Sequence, residues 1–333
     1  MRVLVLGATS LIGNNVLRAA LAAGWEALAF DRPKRRHHRH PALEGLAVRI
    51  AAGQPTDPEA LRQAMLGCDV VFHTEGYAPP NSLHHQRRLA EARQHIAPIL
   101  HTAEAASIGR LVYTSSVSTI GRSDSPTRLP DEWNRYRLGQ VHHPYWDAKL
   151  VQEEAVLALS RRGRIPVVVL NVSEVVGLYD FQFRSTGPLL EMVRRGIRQY
   201  MPGRVSVADA RDVAQGHLAA AERGRPGDRY ILAGHNLTHQ EMLAVMARAC
   251  KRPPPEAQAD LESVSRWTRL SERVSCLGRP NRSFPLSYQL EALHQCRWYD
   301  SGLAQEELGY NNRPLLSTYR ATLAWLKEVG KLK

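Results

Sequence analysis

The sequence predicts an α/β fold: a doubly wound parallel sheet covered by helices on both faces, followed by a smaller, mostly helical region towards the C-terminus. Three observations predict it. Short apolar runs alternate with helical patterns through the whole first half of the chain. Two of those runs, RLVYT and IPVVVLN, are apolar throughout, as strands buried on both faces must be. The alternation also starts at the first residues, where VLVLGATSLIG reads as a strand, a glycine turn and the opening of a helix.

Taken in order, VLVL is the first strand and LIGNNVLRAALAAG the first helix. EALAF is a second strand that ends at Asp31, and LAVRI a third, followed by the helical pattern DPEALRQAML. DVVFH precedes a long helix that closes at AEAAS, and RLVYT ends in the hydroxyls of Thr114, Ser115 and Ser116. The helix PYWDAKLVQEEA and the strand IPVVVLN complete a Rossmann-like, dinucleotide-binding unit over residues 1–172. RPGDRYILAG offers one more strand, so a helix and strand near 209–233 return to the sheet. Residues 173–208 and 234–333 are left as a substrate-binding cap with the amphipathic segments THQEMLAVMARAC and RPLLSTYRATLAWLKEVG. The Pro-rich KRPPPEAQ, Lys251 to Gln258, reads as a connector within that cap.

A chain of 333 residues with 44% hydrophobic content can bury a large core. No window approaches the run of about 18 apolar residues that a membrane-spanning helix requires. MRVLVLGATS reads as a first strand and not as a cleavable signal, so no membrane span and a cytoplasmic location are expected. Cys68, Cys250, Cys276 and Cys296 lack the spacing of a metal site or disulfide framework. The net charge of +12 is mostly arginine, since lysine fills six of the 44 basic positions, and it favours anionic ligands. The densest run, KRRHHRH from Lys34 to His40, suits a solvated loop or a phosphate-binding edge. Without interleaved aromatics or a nucleic-acid-binding module it does not predict a nucleic-acid partner.

Gly7 and Gly13 lie between the first strand and helix, where a backbone without side chains admits a pyrophosphate to the helix N-terminus. An acid at the end of the second strand, Asp31, accepts from ribose hydroxyls and repels a 2′-phosphate, which favours NAD(H). Arg32 follows at once, with Lys34, Arg35 and Arg36 beyond it, and any of these could pair with a 2′-phosphate and keep NADP(H) open. Tyr145 and Lys149 stand four apart and share a helical face, with Pro144 suited to the first helical position. An ammonium beside a phenol stabilises the phenolate, lowers its pKa from about 10, and makes the phenol usable as a general acid or base. The hydroxyl to bind a substrate oxygen beside it is Ser116, with Ser115 and Ser118 as alternatives.

LGATSLIG, LGCDVVFH, RLVYTSS, YWDAK, VVVLNVSEVVG, RDVAQGHLAA, GDRYILAG and ELGYNNRPLLSTYRATLAW together resemble the extended short-chain dehydrogenase/reductases, the NAD-dependent epimerase/dehydratase family. The resemblance is nearest to its branch of hopanoid-associated sugar epimerases, dihydroflavonol reductases and 3β-hydroxysteroid dehydrogenases. It implies Ser116 as the hydroxyl that polarises the substrate, Tyr145 as proton donor or acceptor, and Lys149 as the group that holds the nicotinamide ribose and tunes Tyr145. It extends the cofactor contacts to Gly7, Thr9, Ser10, Leu11, Ile12, Gly13, Asp31, Arg32, Gln54, Thr74, Asn171, Val172 and Ser173, alongside Tyr145 and Lys149. It also implies a small-molecule substrate, either a ketone or alcohol or a nucleotide sugar, and a homodimer formed through helices beside the catalytic one.

Several positions depart from the family pattern. Ser10 replaces the middle glycine of the turn, Gln54 replaces an acid near the adenine, and Val172 replaces the proline after Asn171. Glu75 stands where relatives have small apolar residues, and must turn outward or meet an arginine. The family's asparagine near the start of the long helix is missing. Where dehydratases carry Asp and Glu after the catalytic hydroxyl, this chain has Val117 and Ser118, so elimination is not expected. What survives is hydride transfer between nicotinamide and a ketone or secondary alcohol, or nucleotide-sugar 4-epimerisation by the same triad. A non-catalytic dinucleotide-binding sensor or scaffold is the alternative outside catalysis. Trp146, Trp267, Trp298 and Tyr299 suit core packing better than a pocket lining, and Arg194, Arg195 and Arg198 are candidates for a substrate diphosphate.

Overall fold

Most strands of the first half feed a helix that folds back over the sheet. The computed structural model describes residues 1–31, 40–79, 84–122, 127–141, 144–260, 262 and 297–332. In chain order these begin with β1 (Arg2–Leu6), α1 (Leu11–Ala22), β2 (Glu26–Asp31), β3 (Arg49–Ala52), α2 (Pro58–Met65) and β4 (Val70–His73). There follow α3 (His85–Ala105), β5 (Arg110–Ser116), α4 (Pro144–Arg161) and β6 (Val167–Val172). The chain then crosses into a second layer through β7 (Glu174–Val176), α5 (Gly187–Arg194), β8 (Gln199–Tyr200) and β9 (Arg204–Asp209). It returns with α6 (Ala210–Arg223) and β10 (Arg229–Leu232), and leaves again through β11 (His235–Thr238), α7 (His239–Cys250) and β12 (Ala257–Gln258). After residue 296 come α8 (Gly302–Leu308) and α9 (Leu315–Glu328).

The main sheet is parallel, in the order β10-β6-β5-β4-β1-β2-β3. Period-two alternation sorts its side chains into two cores. Val3 and Val5 face α1 and α6 with Val16, Leu17, Val213 and Leu218. Leu4 and Leu6 face α2, α3 and α4 with Leu61, Met65, Ile96, Ile99 and Val156. Strand order reverses direction beside β1, and in sheets of this kind ligands lie at that switch point, beyond the carboxyl ends of the strands.

The second layer is mostly helical, as expected, but also contains short strands. Besides α5, α7 and α9, packed on Leu189, Met192, Leu243, Met246, Tyr319 and Leu326, it contains a three-stranded sheet in the order β11-β9-β7 and a β12-β8 pair. Those strands are 2 to 6 residues long, too short for periodicity to separate from loop. At β3 the strand starts at Arg49, and the apolar Leu46 and Val48 of the predicted LAVRI run pack as a preceding loop against the core. Among the described residues no helix is long and apolar enough to cross a membrane.

The first turn is closely packed. A Cβ at Gly13 would lie 2.1 Å from the Gly7 carbonyl oxygen and 2.4 Å from Thr74 Oγ1. Gly13→Ala is therefore expected to destabilise the fold by about 1–3 kcal/mol through overpacking, read as a lowered urea midpoint at unchanged m-value. A loss below ~0.5 kcal/mol, the scale of a neutral surface change, would show that the turn relaxes freely.

Candidate active site

The carboxyl ends of β1, β4, β5 and β6 open onto a groove formed by two adjoining cavities of about 480 and about 390 Å³. Ser10, Thr74 and Gly76 line both.

Gly7, Thr9, Asp31, Gly53 and Glu75 line the larger cavity. Gly7 has φ +83°, and a Cβ there would meet Glu75 Cβ and Thr74 Oγ1 at 2.9 Å, so only glycine leaves this floor open. Ser10, the substitute for a glycine, is explained by its bonds. Its backbone N–H donates to Gly7 O at 2.9 Å, and its Oγ accepts from Gly13 N at 3.1 Å, so the hydroxyl caps α1 instead of plugging the turn. Thr74 Oγ1 is likewise engaged, donating to Leu6 O at 2.8 Å. Asp31 ends β2 half-buried at the rim of this cavity, and Glu75 is half-buried in its wall. Gln54 is exposed and does not line it, whereas its neighbours Gly53 and Pro55 do. A bare glycine floor, free N–H groups at a helix N-terminus and an acid at the end of β2 fit the adenosine and diphosphate of a dinucleotide. Arg32, the basic run from Lys34 to Arg39, Trp267, Cys276 and Cys296 lie outside the described residues.

Ser116, Tyr145 and Lys149 line the smaller cavity together with Leu11, Ile12, Val172 and Ser173. Pro144 opens α4, and Tyr145 in its first turn lines the cavity beside Ser116 at the end of β5. Lys149 is buried one turn on, its Nζ 6.0 Å from the Tyr145 ring centre, 5.9 Å from that of Tyr113, and donating at 3.5 Å to Thr114 O. Room for it comes from Gly76, where a Cβ would sit 2.4 Å from Nζ. Burial lowers the Lys149 ammonium to about 8, and the nearby Glu153 carboxylate opposes that shift.

One expectation needs correction here. The sequence predicts that Lys149 pulls the Tyr145 phenol down; in the structure burial pushes the phenol up, and the groups that oppose the rise are Ser116 and Arg297. The ammonium lies beside the ring, and desolvation outweighs it. The serine alternatives separate cleanly. Ser115 Oγ donates to Glu153 Oε2 at 2.5 Å, and Ser118 is buried outside the cavity lining, while Ser116 Oγ faces Tyr145 and also accepts from Ser118 N at 3.2 Å. Asn171 is fully buried and does not line the cavity; its amide turns inwards.

What the sequence reading missed is the next step of the same helical ladder. Tyr145, Lys149 and Glu153 are spaced four apart on α4, and Glu153 is only 2% exposed. Its Oε2 accepts from Ser115 Oγ, from Thr119 Oγ1 at 2.6 Å and from Asn171 Nδ2 at 2.8 Å, while Oε1 pairs with Arg229 Nη1 at 3.0 Å. Asn171 Nδ2 also reaches Ser116 O at 3.2 Å. One carboxylate thus ties α4 to the ends of β5 and β6 and to β10. The signal was the i, i+8 continuation from Tyr145, which is legible only once the helix is known to run that far.

Other candidates fall elsewhere. Trp146 is buried edge-on against Tyr136, Trp298 Nε1 donates to Leu237 O, and Tyr299 packs with Val117 and Ile231, so all three serve packing. Arg194, Arg195 and Arg198 are exposed and line neither cavity; Arg184 and Arg297 do the lining instead.

A model of the NAD dependent epimerase/dehydratase family matches residues 3–233. A protein from Synechocystis sp., provisionally named dihydroflavonol 4-reductase, is 30% identical over 99% of this chain and 95% of its own. Sterol demethylase protein B from Methylococcus capsulatus is 26% identical, covering both chains completely. Among solved structures, a nucleoside-diphosphate-sugar epimerase from Pseudomonas aeruginosa superposes with a TM-score of 0.80 at 24% identity, over 100% of this chain and 99% of that one.

Removing one partner of the buried Glu153–Arg229 pair leaves an uncompensated charge. Glu153→Ala should cost about 3–5 kcal/mol of stability, measured by chemical denaturation. Thr119→Val, which removes one neutral donor, should cost about 1 kcal/mol.

Proposed function

The chain belongs to the NAD dependent epimerase/dehydratase family, and we propose that within it the protein is an NAD(H)-preferring oxidoreductase acting on a ketone or secondary alcohol. The observation that carries this reading is the convergence of Ser116, Tyr145 and the buried Lys149 on one cavity, which adjoins the cavity lined by the glycine turn and Asp31. When bound, the nicotinamide supplies or accepts the hydride at the carbonyl carbon. The chain's own groups do the rest. Ser116 holds the substrate oxygen by hydrogen bonding, and Tyr145 gives it a proton in reduction or takes one in oxidation. Lys149, cationic below about pH 8, favours the negative charge that Tyr145 carries after giving up its proton. Burial keeps the phenol protonated at neutral pH, the state that donates to a forming alkoxide, which favours ketone reduction. Val117 and Ser118 bring no carboxylate to drive elimination. Asp31 at the groove's rim supports NAD(H) over NADP(H) by repulsion of a 2′-phosphate.

Tyr145→Phe is expected to lose about 10²–10⁴-fold in turnover while NADH still protects the protein against thermal unfolding; retained turnover would refute the assignment. Because kcat/KM reports the free enzyme, its alkaline limb should fall as Lys149 loses its proton near pH 8. An unchanged limb in Lys149→Arg would show that another group sets it. Two assays decide the reaction: oxidation of NADH with a panel of ketones supports the reductase, inversion of a nucleotide sugar with no net change in the cofactor supports the 4-epimerase, and no protection by either cofactor sinks the reading.

A further inference from the structure

We propose that Gln182 and Arg184, carried on the loop between β7 and α5, form a preorganised diphosphate-binding platform that grips the dinucleotide from the cap side. The inference rests on the cofactor reading above and extends it to residues outside the family's glycine turn.

The loop is built to hold its backbone still. Tyr179 and Phe183 adopt left-handed conformations, φ +69° and +53°, which side-chain-bearing residues occupy only when their surroundings enforce it. The enforcement is visible. Tyr179, Phe181 and Phe183 all pack on Trp325, with ring centres 6.1, 5.4 and 6.2 Å from it. The buried Asp180 accepts from Ser185 N, Thr186 N and Thr186 Oγ1 at 2.8 to 3.1 Å. From α1, Asn15 Nδ2 donates to Leu178 O at 2.9 Å and the Arg18 guanidinium lies 3.7 Å over the Tyr179 ring.

Alternate residues of this pinned loop face the other way. Gln182 and Arg184 are exposed, line both cavities, and make no side-chain hydrogen bond or ion pair with another described residue. Among the described residues lining the nucleotide cavity, Arg184 is the one cation, and it shares that cavity with the carboxylates of Asp31 and Glu75. A guanidinium meets the oxygens of a diphosphate in a bidentate fork. The same helix α1 offers its N-terminus to the ligand and anchors the loop through Asn15 and Arg18, so turn and platform are held at a set separation.

The test compares wild type, Arg184→Gln, Arg184→Lys and the control Arg194→Gln by calorimetric titration with NADH, ADP-ribose, adenosine and uridine diphosphate. Arg184→Gln should weaken NADH and ADP-ribose by about 10- to 100-fold, the worth of a charge-assisted hydrogen bond, and flatten the salt dependence of their binding. Adenosine affinity and the Arg194→Gln control should not change, and Arg184→Lys should recover part of the loss. Equal ADP-ribose affinity in wild type and Arg184→Gln overturns the platform while leaving the cofactor reading standing. A loss confined to uridine diphosphate overturns it too, and assigns the arginine to a substrate's diphosphate. Failure of wild type to bind NADH or ADP-ribose refutes the cofactor reading itself.

Discussion

Glu153 is the group that the geometry of the site depends on. A carboxylate removed from water is tolerated only when its lone pairs are filled and its charge is opposed, and here three neutral donors and one guanidinium meet both conditions. Those donors sit on β5, on the turn after it, and on β6, with the arginine on β10. Satisfying one buried charge therefore aligns the ends of three strands against α4. Tyr145 and Lys149 are on α4 and Ser116 is on β5, so the distance between phenol and serine hydroxyl follows from the surroundings of Glu153. Asn171, which bonds both Glu153 and the Ser116 carbonyl, makes that link direct.

Desolvation then sets the protonation states. The same burial acts in opposite directions on opposite charge types: it raises the Tyr145 phenol and the Glu153 carboxyl and lowers the Lys149 ammonium. The result is a proton-loaded acid beside a cation close to its own titration point, in a cavity where small electrostatic changes have large effects. A ligand that brings charge or excludes water will shift both groups.

Helix α1 organises the other half of the groove. Its N-terminus is capped by Ser10, and Asn14 holds the carbonyls of Ala8 and Ala42 at 3.1 and 2.8 Å. One residue on, Asn15 reaches the cap loop. Two buried asparagines on consecutive positions thus connect the glycine turn to the second layer. The departures at Ser10 and Gln54 are accommodated without closing the groove: the serine turns its hydroxyl onto the helix, and Gln54 sits outside the lining.

Much of this was legible along the chain. The alternation of strands and helices, the glycine turn, the position of Asp31 and the pairing of Tyr145 with Lys149 are properties of local sequence, because period, turn chemistry and i, i+4 spacing act over a few residues. The short strands of the second layer were not legible, since two to six residues carry too little periodicity to stand out. Ser116 was already the sequence's choice over Ser115 and Ser118, and the structure supplies the reason: Ser115 is taken up by Glu153, while Ser116 lines the cavity with Tyr145. The direction of the Tyr145 shift, the role of Glu153 and the presence of Arg184 and not Arg194 at the groove were decided by tertiary structure alone. The physical reason is common to all of them: burial, desolvation and the pairing of a charge are set by groups far apart in sequence, and no local pattern records which of them the fold brings together.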